Sequence, residues 1–444
     1  MVYMPDIVLF AAKKGGKANG RIASVLDRFG GSTVLTEGII SKAVEDAAGK
    51  KPHAVDLSDY CAVSKAKGDV ALVSINTVDA FRYLAAMKEK IRNNFGTVVV
   101  GGQLPSMMPG VFQRFMPSAS VFSGECEESM EMVVKDAQLG KHGLLYKAKP
   151  VDIEKNYVLF DRDFGRTLQP MEIGRGCTYS CQFCGMPPNM RKPRIRDIAQ
   201  VKEEMGPLKT ILFVDPNLSS YPKEYLWEVF SDIERKGKRW GGEATAKELV
   251  GDPELWNLMS RTCIILLNGV ENLNGDVSAA RKNGGSLLSE PNGAVVLRSM
   301  IIGDTNESAE TINATIRAFR EKNLTGVFHL LAPLPGSPQF RKLEREGRIV
   351  EKDLAKYDRR HSVLRGDNLS PGEVESLFRK VNRSAHTFSG TVKEIIRILG
   401  DSADFGLAFD RVVTLVAFRT RALAIGLERE PGKKPGNAPE LLLI

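Results

Sequence analysis

The sequence predicts an α/β protein in three parts: an N-terminal doubly wound domain, a partial or full (β/α) barrel, and a mainly helical C-terminal region. Three observations carry this expectation. Over the first 135 residues, short apolar and β-branched runs alternate with stretches of helical periodicity. Residues 136–169, of mixed charge and no sustained period, interrupt the alternation, which resumes at Met171. After Pro338 the strand-like runs give way to mainly helical pattern. The expected division is 1–135, a connector over 136–169, a barrel core over 170–345 and a helical region over 346–444.

In chain order, residues 6–12, 70–75 and 97–100 read as strands, the last followed at once by Gly101-Gly102. Between the second and third lies 78–94, where Phe81, Leu84, Met87 and Ile91 recur at three- and four-residue spacing and predict a helix. Such alternation predicts a parallel sheet covered on both faces, a fold that binds ligands beyond the carboxyl ends of its strands. In the second part, 210–214, 238–244, 264–268, 295–302 and 326–331 read as strands, with amphipathic helices at 222–236 and 309–322. Consecutive strand and helix units of this kind predict a barrel instead of another open sheet. Helices are expected at 371–381 and 392–399, and 431–444, rich in Pro, Gly and Lys, reads as a loose end.

Composition removes several classes. With 444 residues, 43% hydrophobic and 26% charged, the chain is neither disordered nor a small disulfide scaffold. Its 62 basic and 54 acidic residues leave +8, which favours anionic substrates or an acidic partner without requiring nucleic acid. An apolar run before Lys13 and Lys14 reverses the order of a signal peptide and reads as a first strand. The apolar stretch 412–427 is broken by Arg419 and Arg421 and is too short for a bilayer. A cytoplasmic protein with no membrane span is expected, and its cysteines then stay available as thiolates.

The informative segment is Cys177-Thr-Tyr-Ser-Cys181-Gln-Phe-Cys184, three thiols on a glycine-flanked loop. Three soft ligands at this spacing can converge on one metal centre. A structural zinc site wants four closed ligands, and no fourth Cys or His lies nearby, although Cys126 or Cys263 could reach it from afar. A [4Fe–4S] cluster held by Cys177, Cys181 and Cys184, with one iron left open, is the sharper reading.

Cys177-x3-Cys181-x2-Cys184, with Phe183 before the last cysteine, resembles the signature of the radical S-adenosylmethionine (radical SAM) superfamily. Further resemblances follow in family order. Phe213-Val-Asp215-Pro-Asn217 sits where these enzymes meet the methionine end of the cofactor, and Asn268-Gly-Val-Glu271 is similar to their ribose-contacting strand end. Ser299-Met-Ile301-Ile-Gly303, continuing to Glu307, resembles the adenine-side motif, with Ser299 where glycine is usual. Residues 331–338 resemble the barrel-closing segment. The resemblance implies S-adenosylmethionine bound at Asp215, Glu271, Ser299, Ile301, Gly303 and Glu307. Each carboxylate among these, and Glu243, has an ordinary alternative as a strand-end or helix-cap group.

The first domain resembles the cobalamin-binding domain of the B12-dependent branch: residues 71–77 as its third strand, Gly101-Gly102 as its glycine turn, and Ser123-Gly-Glu-Cys-Glu127 where the branch shows G-E-G-E. Small residues at Gly101 and Gly102 would let a corrin approach the backbone, and the same pair also reads as a plain tight turn. The Asp-x-His-x-x-Gly motif that supplies a cobalt-ligating histidine does not occur, so the resemblance implies a lower corrin face without histidine.

The resemblance implies C-methylation of a small-molecule or peptide substrate by a 5′-deoxyadenosyl radical and methylcobalamin. Cyclisation, oxidation or rearrangement by the same radical is the alternative within the superfamily, and a zinc-stabilised, non-catalytic binding protein is the alternative outside it. The basic run Arg191-Lys-Pro-Arg-Ile-Arg196 is either a solvated face or a dock for an acidic, low-potential electron donor such as a flavodoxin or ferredoxin. Arg359-Arg360 is a second basic pair.

Overall fold

A computed structural model describes residues 5–12, 31–155, 157, 168–271 and 288–427. The expected tail at 431–444 lies outside the described residues. The first sheet has six parallel strands: β1 (Ile7–Ala11), β2 (His53–Asp56), β3 (Gly68–Ser74), β4 (Phe95–Gly101), β5 (Ser120–Ser123) and β6 (Leu145–Lys147). Their order is β2-β1-β3-β4-β5-β6, so the winding reverses between β1 and β3.

The apolar runs are continuous because both faces are covered. In β1, Val8 and Phe10 enter one core and Ile7 and Leu9 the other, and β3 divides Ala71 and Val73 from Val70 and Leu72 in the same way. The helix Val78–Asn94 forms with Thr77 as its cap, accepting from the Ala80 N–H, and buries the predicted Phe81, Leu84, Met87 and Ile91. Three short strands escaped the periodicity argument. β2 is a half-exposed edge, β5 has four residues, and β6, with only Tyr146 buried, adds an edge strand inside the stretch expected to be a connector.

The second sheet contains β7 (Leu168–Met171), β10 (Thr210–Phe213), β11 (Arg239–Ala244), β12 (Cys263–Glu271), β13 (Val295–Ile302) and β14 (Gly326–Leu330) in that spatial order, all parallel. A two-stranded antiparallel ribbon, β8 (Gly174–Arg175) with β9 (Arg194–Ile195), follows β7. Every crossover steps to the next neighbour, and right-handed crossovers then put the crossover helices on one face and curl the sheet. Among the described residues β7 and β14 do not pair, so the barrel is partial.

The outer face of the arc, Leu266, Val296, Met300 and Ile302, packs on crossover helices. The inner face, Ile265, Val295 and Leu297, meets Leu415 and Phe418 of the last helix, Phe405–Leu427. That helix includes the apolar stretch 412–427. Arg419 inside it donates to the Thr325 and Thr391 hydroxyls, and Arg411 to the Cys263 and Ser260 carbonyls, which is why a partly charged segment can be buried.

Leu331, Phe340, Tyr357, Val363 and Leu364 share one core with Val73, Phe81 and Val100, so the segment after β14 packs on the first sheet. Phe81 is 1% exposed and stacks edge-on to Phe112 at 5.9 Å and tilted to Phe115 at 5.2 Å. Phe81→Ala is expected to cost about 3–5 kcal/mol of stability, read as a lower urea midpoint.

Candidate functional site

The cysteine loop is held at its root. Gly174 and Gly176 lie where the chain has no room for a side chain: a Cβ on Gly176 would sit 2.4 Å from the Lys192 carbonyl oxygen, and its φ of +93° is one that glycine adopts freely. Cys177 N–H donates to the Arg191 carbonyl at 2.8 Å, closing the loop over the β8–β9 ribbon. Asp215, just past β10, is 1% exposed and accepts from Gly174 N–H at 2.8 Å, Ile173 N–H at 3.1 Å and the Tyr221 hydroxyl at 2.9 Å. Burial, and then the nearby Glu172 charge, push its carboxyl up to about 7. All these partners belong to the chain itself, so Asp215 positions the start of the loop.

Within the loop, Cys181 is buried and Cys177 and Cys184 are half-buried. Cys184 Sγ accepts from Met186 N–H at 3.4 Å, and Cys177 Sγ lies 3.7 Å from the Asn217 side-chain nitrogen. Hydrogen bonds to sulfur favour thiolates, the form that binds metal. Among the described residues no three His, Cys, Asp or Glu side chains form a single-ion site. Cys263 lies at the opposite, amino end of β12, where burial pushes its thiol up to about 12, and burial pushes the Cys126 thiol up as well. Asn217, 1% exposed, also accepts from Thr245 N–H and so ties the cysteine loop to β11. It was legible only as part of a motif, not as a partner of sulfur.

The remaining predicted residues follow the barrel. Ser299 and Ile301 are half-buried on the inner face of β13, between the buried, outward Arg298, Met300 and Ile302. Gly303 follows at φ +86°, and Glu307 accepts its N–H at 2.6 Å. Glu271 ends β12 after a register shift, and its side chain lies outside the described residues. Glu243 is exposed on the wall of a cavity of about 550 Å³ inside the arc, which Asp215 also lines.

Gly102 has φ +107°, and a Cβ there would meet Asn76 Oδ1 at 2.7 Å and the Ile75 backbone at 2.9 Å. The backbone at Gly102 therefore requires glycine as the chain passes from β4 into the helix Gln103–Met107. Gly101 and Gly102, with Ser74 and Glu125, also line a second cavity of about 420 Å³ at the carboxyl ends of the first sheet, where a doubly wound domain takes its ligand. Gly176, Met186 and Pro187 of the cysteine segment form its far wall. Gln103 Nε2 donates to the Gly185 carbonyl at 3.3 Å across the junction.

An ion-pair network that the sequence did not reveal joins the two halves. Arg175 meets Glu127 and Glu172 at 2.7 Å and Glu125 at 3.3 Å, and Arg194 meets Glu125 at 2.7 Å. Burial raises the Glu125 carboxyl, but the Arg194 hydrogen bonds and the Arg175 charge outweigh it and hold the group below its ordinary value. The G-E-C-E segment is thus engaged with the arginines flanking the cysteines. Arg196 is 1% exposed and pairs with Glu204, so of the basic run 191–196 only Lys192 is fully at the surface. Part of that run is internal structure, contrary to either surface reading.

The glycine turn of one domain and the cysteine loop of the other thus line one cavity, and the fold that brings them there is shared with solved cobalamin-dependent radical SAM enzymes. No protein-family model matches the chain. It is 25% identical over 358 residues to bacteriochlorophyllide d C-12(1)-methyltransferase of Chlorobaculum tepidum, covering 74% of this chain and 76% of that protein. Its fold is similar to the radical SAM methyltransferase TsrM from Kitasatospora setae, solved with cobalamin and a [4Fe–4S] cluster, at TM-score 0.58 and 14% identity, over 93% of this chain and 99% of TsrM. The cobalamin-dependent enzyme OxsB, solved with aqua-cobalamin and S-adenosylmethionine, superposes at TM-score 0.61 and 14% identity over 95% of this chain and 72% of OxsB.

Two outcomes follow from the geometry. Arg175→Met leaves three carboxylates facing a buried gap and is expected to cost about 3–5 kcal/mol, measured by chemical denaturation. Burial pushes Glu307 up to about 7 from 4.5, so the fold favours its protonated form. Its contribution is complete below about pH 4.5 and lost as pH rises through about 7. Glu307→Gln keeps an acceptor for Gly303 N–H and is expected to flatten that fall in a series of urea midpoints against pH.

Proposed function

We propose that this chain is a cobalamin-dependent radical SAM enzyme that methylates an unactivated carbon. The observation that carries the reading is the cavity shared by the Gly101-Gly102 turn and the cysteine segment. The donor set fits the groups the class employs: three cysteines on one loop, two of them with N–H groups at sulfur, and an apolar-walled crevice at the strand ends. When bound, the cluster supplies the electron that cleaves S-adenosylmethionine, and cobalamin supplies the methyl group.

The chain's own residues have distinct parts in this proposal. Cys177, Cys181 and Cys184 would hold three irons, with Met186 N–H and Asn217 stabilising the thiolates. Asp215 fixes the Ile173 and Gly174 backbone from which the loop departs. Ser299 and Ile301 offer the inner strand surface to the nucleoside end of S-adenosylmethionine, Glu271 at the end of β12 is assigned to the same end by the motif alone, and Glu307 orients the Gly303 turn. Gly101 and Gly102 keep the crevice floor free of side chains. The inner wall of the arc, with the last helix against it, excludes water from the reacting carbon. The proposed division keeps the barrel core at 170–345 and the helical region at 346–444, while β6 carries the first domain past 135 into the expected connector, in a cytoplasmic enzyme that draws its electron from a flavodoxin or ferredoxin.

Anaerobic reconstitution with iron, sulfide and cobalamin tests this. Iron–sulfur and corrin absorbance together with reductant-dependent 5′-deoxyadenosine are expected. Cys177→Ala, Cys181→Ala and Cys184→Ala should each abolish 5′-deoxyadenosine and lower bound iron. Zinc without iron would overturn the reading, and absent corrin bands would remove methyl transfer from it.

A further inference from the structure

The buried amide of Asn217 fits its surroundings only one way round. Its oxygen accepts from the Thr245 backbone N–H at 2.9 Å and the Ser219 hydroxyl at 2.8 Å. A backbone N–H can only donate, so the atom facing it is the oxygen and the nitrogen is turned the other way. That nitrogen has two hydrogens to place. One serves Ser220 Oγ at 2.9 Å, and the other reaches Cys177 Sγ at 3.7 Å, a distance suited to the larger radius of a sulfur acceptor.

The donors at the two sulfurs differ in kind. Met186 offers Cys184 Sγ a backbone N–H, which any residue but proline would supply. At Cys177 the donor is a side chain, present only because residue 217 is asparagine. Tying the cysteine loop to β11 does not by itself call for that residue. An aspartate would accept from Thr245 N–H and the Ser219 hydroxyl equally well, and the Ser220 hydroxyl could donate to its second oxygen. What an ionised aspartate lacks is a proton to direct at sulfur. Glu248, which accepts from the Tyr179 and Ser219 hydroxyls, belongs to the same network and keeps its place under that exchange.

We propose that Asn217 tunes the reduction potential of the cluster held by Cys177, Cys181 and Cys184. Reduction from [4Fe–4S]2+ to [4Fe–4S]+ adds one electron, and with it negative charge on the irons and their thiolates. An N–H at sulfur favours the more negative state, so the Asn217 amide raises the potential at which the electron enters. Acting through Cys177, it is a positioning residue and not a ligand. This rests on the reading of the cysteine loop as a cluster site.

The test is an anaerobic redox titration of the reconstituted full-length protein without S-adenosylmethionine, after its iron has been counted. Titanium(III) citrate supplies the electron, becoming titanium(IV), and electron paramagnetic resonance follows the reduced cluster. Asn217→Ala and Asn217→Asp are each expected to shift the reduction equilibrium about tenfold toward the oxidised form, which for one electron is a midpoint about 59 mV more negative. Ser220→Ala breaks the neighbouring hydrogen bonds to Asn217 and Thr178 but keeps the N–H at sulfur, and is expected to leave the midpoint where it is. An unchanged or higher midpoint in both Asn217 variants, an equal shift in Ser220→Ala, or loss of iron from both Asn217 variants would each overturn the proposal while the cluster reading stands. A wild-type protein that takes up no iron would overturn that reading and the proposal with it, and the iron count tells the two failures apart.

Discussion

Asp215 is shielded from solvent, and two backbone N–H groups and one phenol of its own chain satisfy it. A carboxylate buried this way is stable only while those donors stay in place, so it holds the chain leaving β7 in one course. The glycines at 174 and 176 let that course run against the backbone of residues 191–194. The position of all three cysteines follows from this junction, because the loop they occupy begins within three residues of it. A loop free to wander would present three thiols in many arrangements, of which few suit a metal cluster.

The second constraint is the seam between the domains. A shared apolar core brings the segment after β14 onto the first sheet, while Arg175 and Arg194 bind the Gly124–Glu127 turn to the base of the cysteine loop. Apolar contact supplies most of the adhesion and is tolerant of sliding. The buried charges are not, since a small displacement leaves a carboxylate unpaired. Together they set the register in which the crevice of one domain meets the loop of the other.

Much of this was legible in the sequence. Long apolar strands such as β1, β3 and β13, and the helix Val78–Asn94, declared themselves because burial on one or both faces imposes a period that survives in the residue order. β2, β5 and β6 did not, being short, and β2 and β6 being edges besides. The cysteine spacing was equally plain, since local ligands must be local in sequence. Asn217 beside Cys177 Sγ, Glu127 against Arg175 and the 358–360 turn on the wall of the cavity inside the arc involve residues 40 or more apart, and no local pattern records such partnerships.

The sequence by itself determined the alternating architecture, the thiol triad and the glycine turn, because each depends on neighbours along the chain. Only the tertiary structure decided that Asp215 serves the backbone, that Arg194 and Arg196 turn inward, and that the last helix lies inside an open arc. The reason is physical: a charged side chain takes its role from its partners and its burial, and both are set by segments that meet only when the chain has folded.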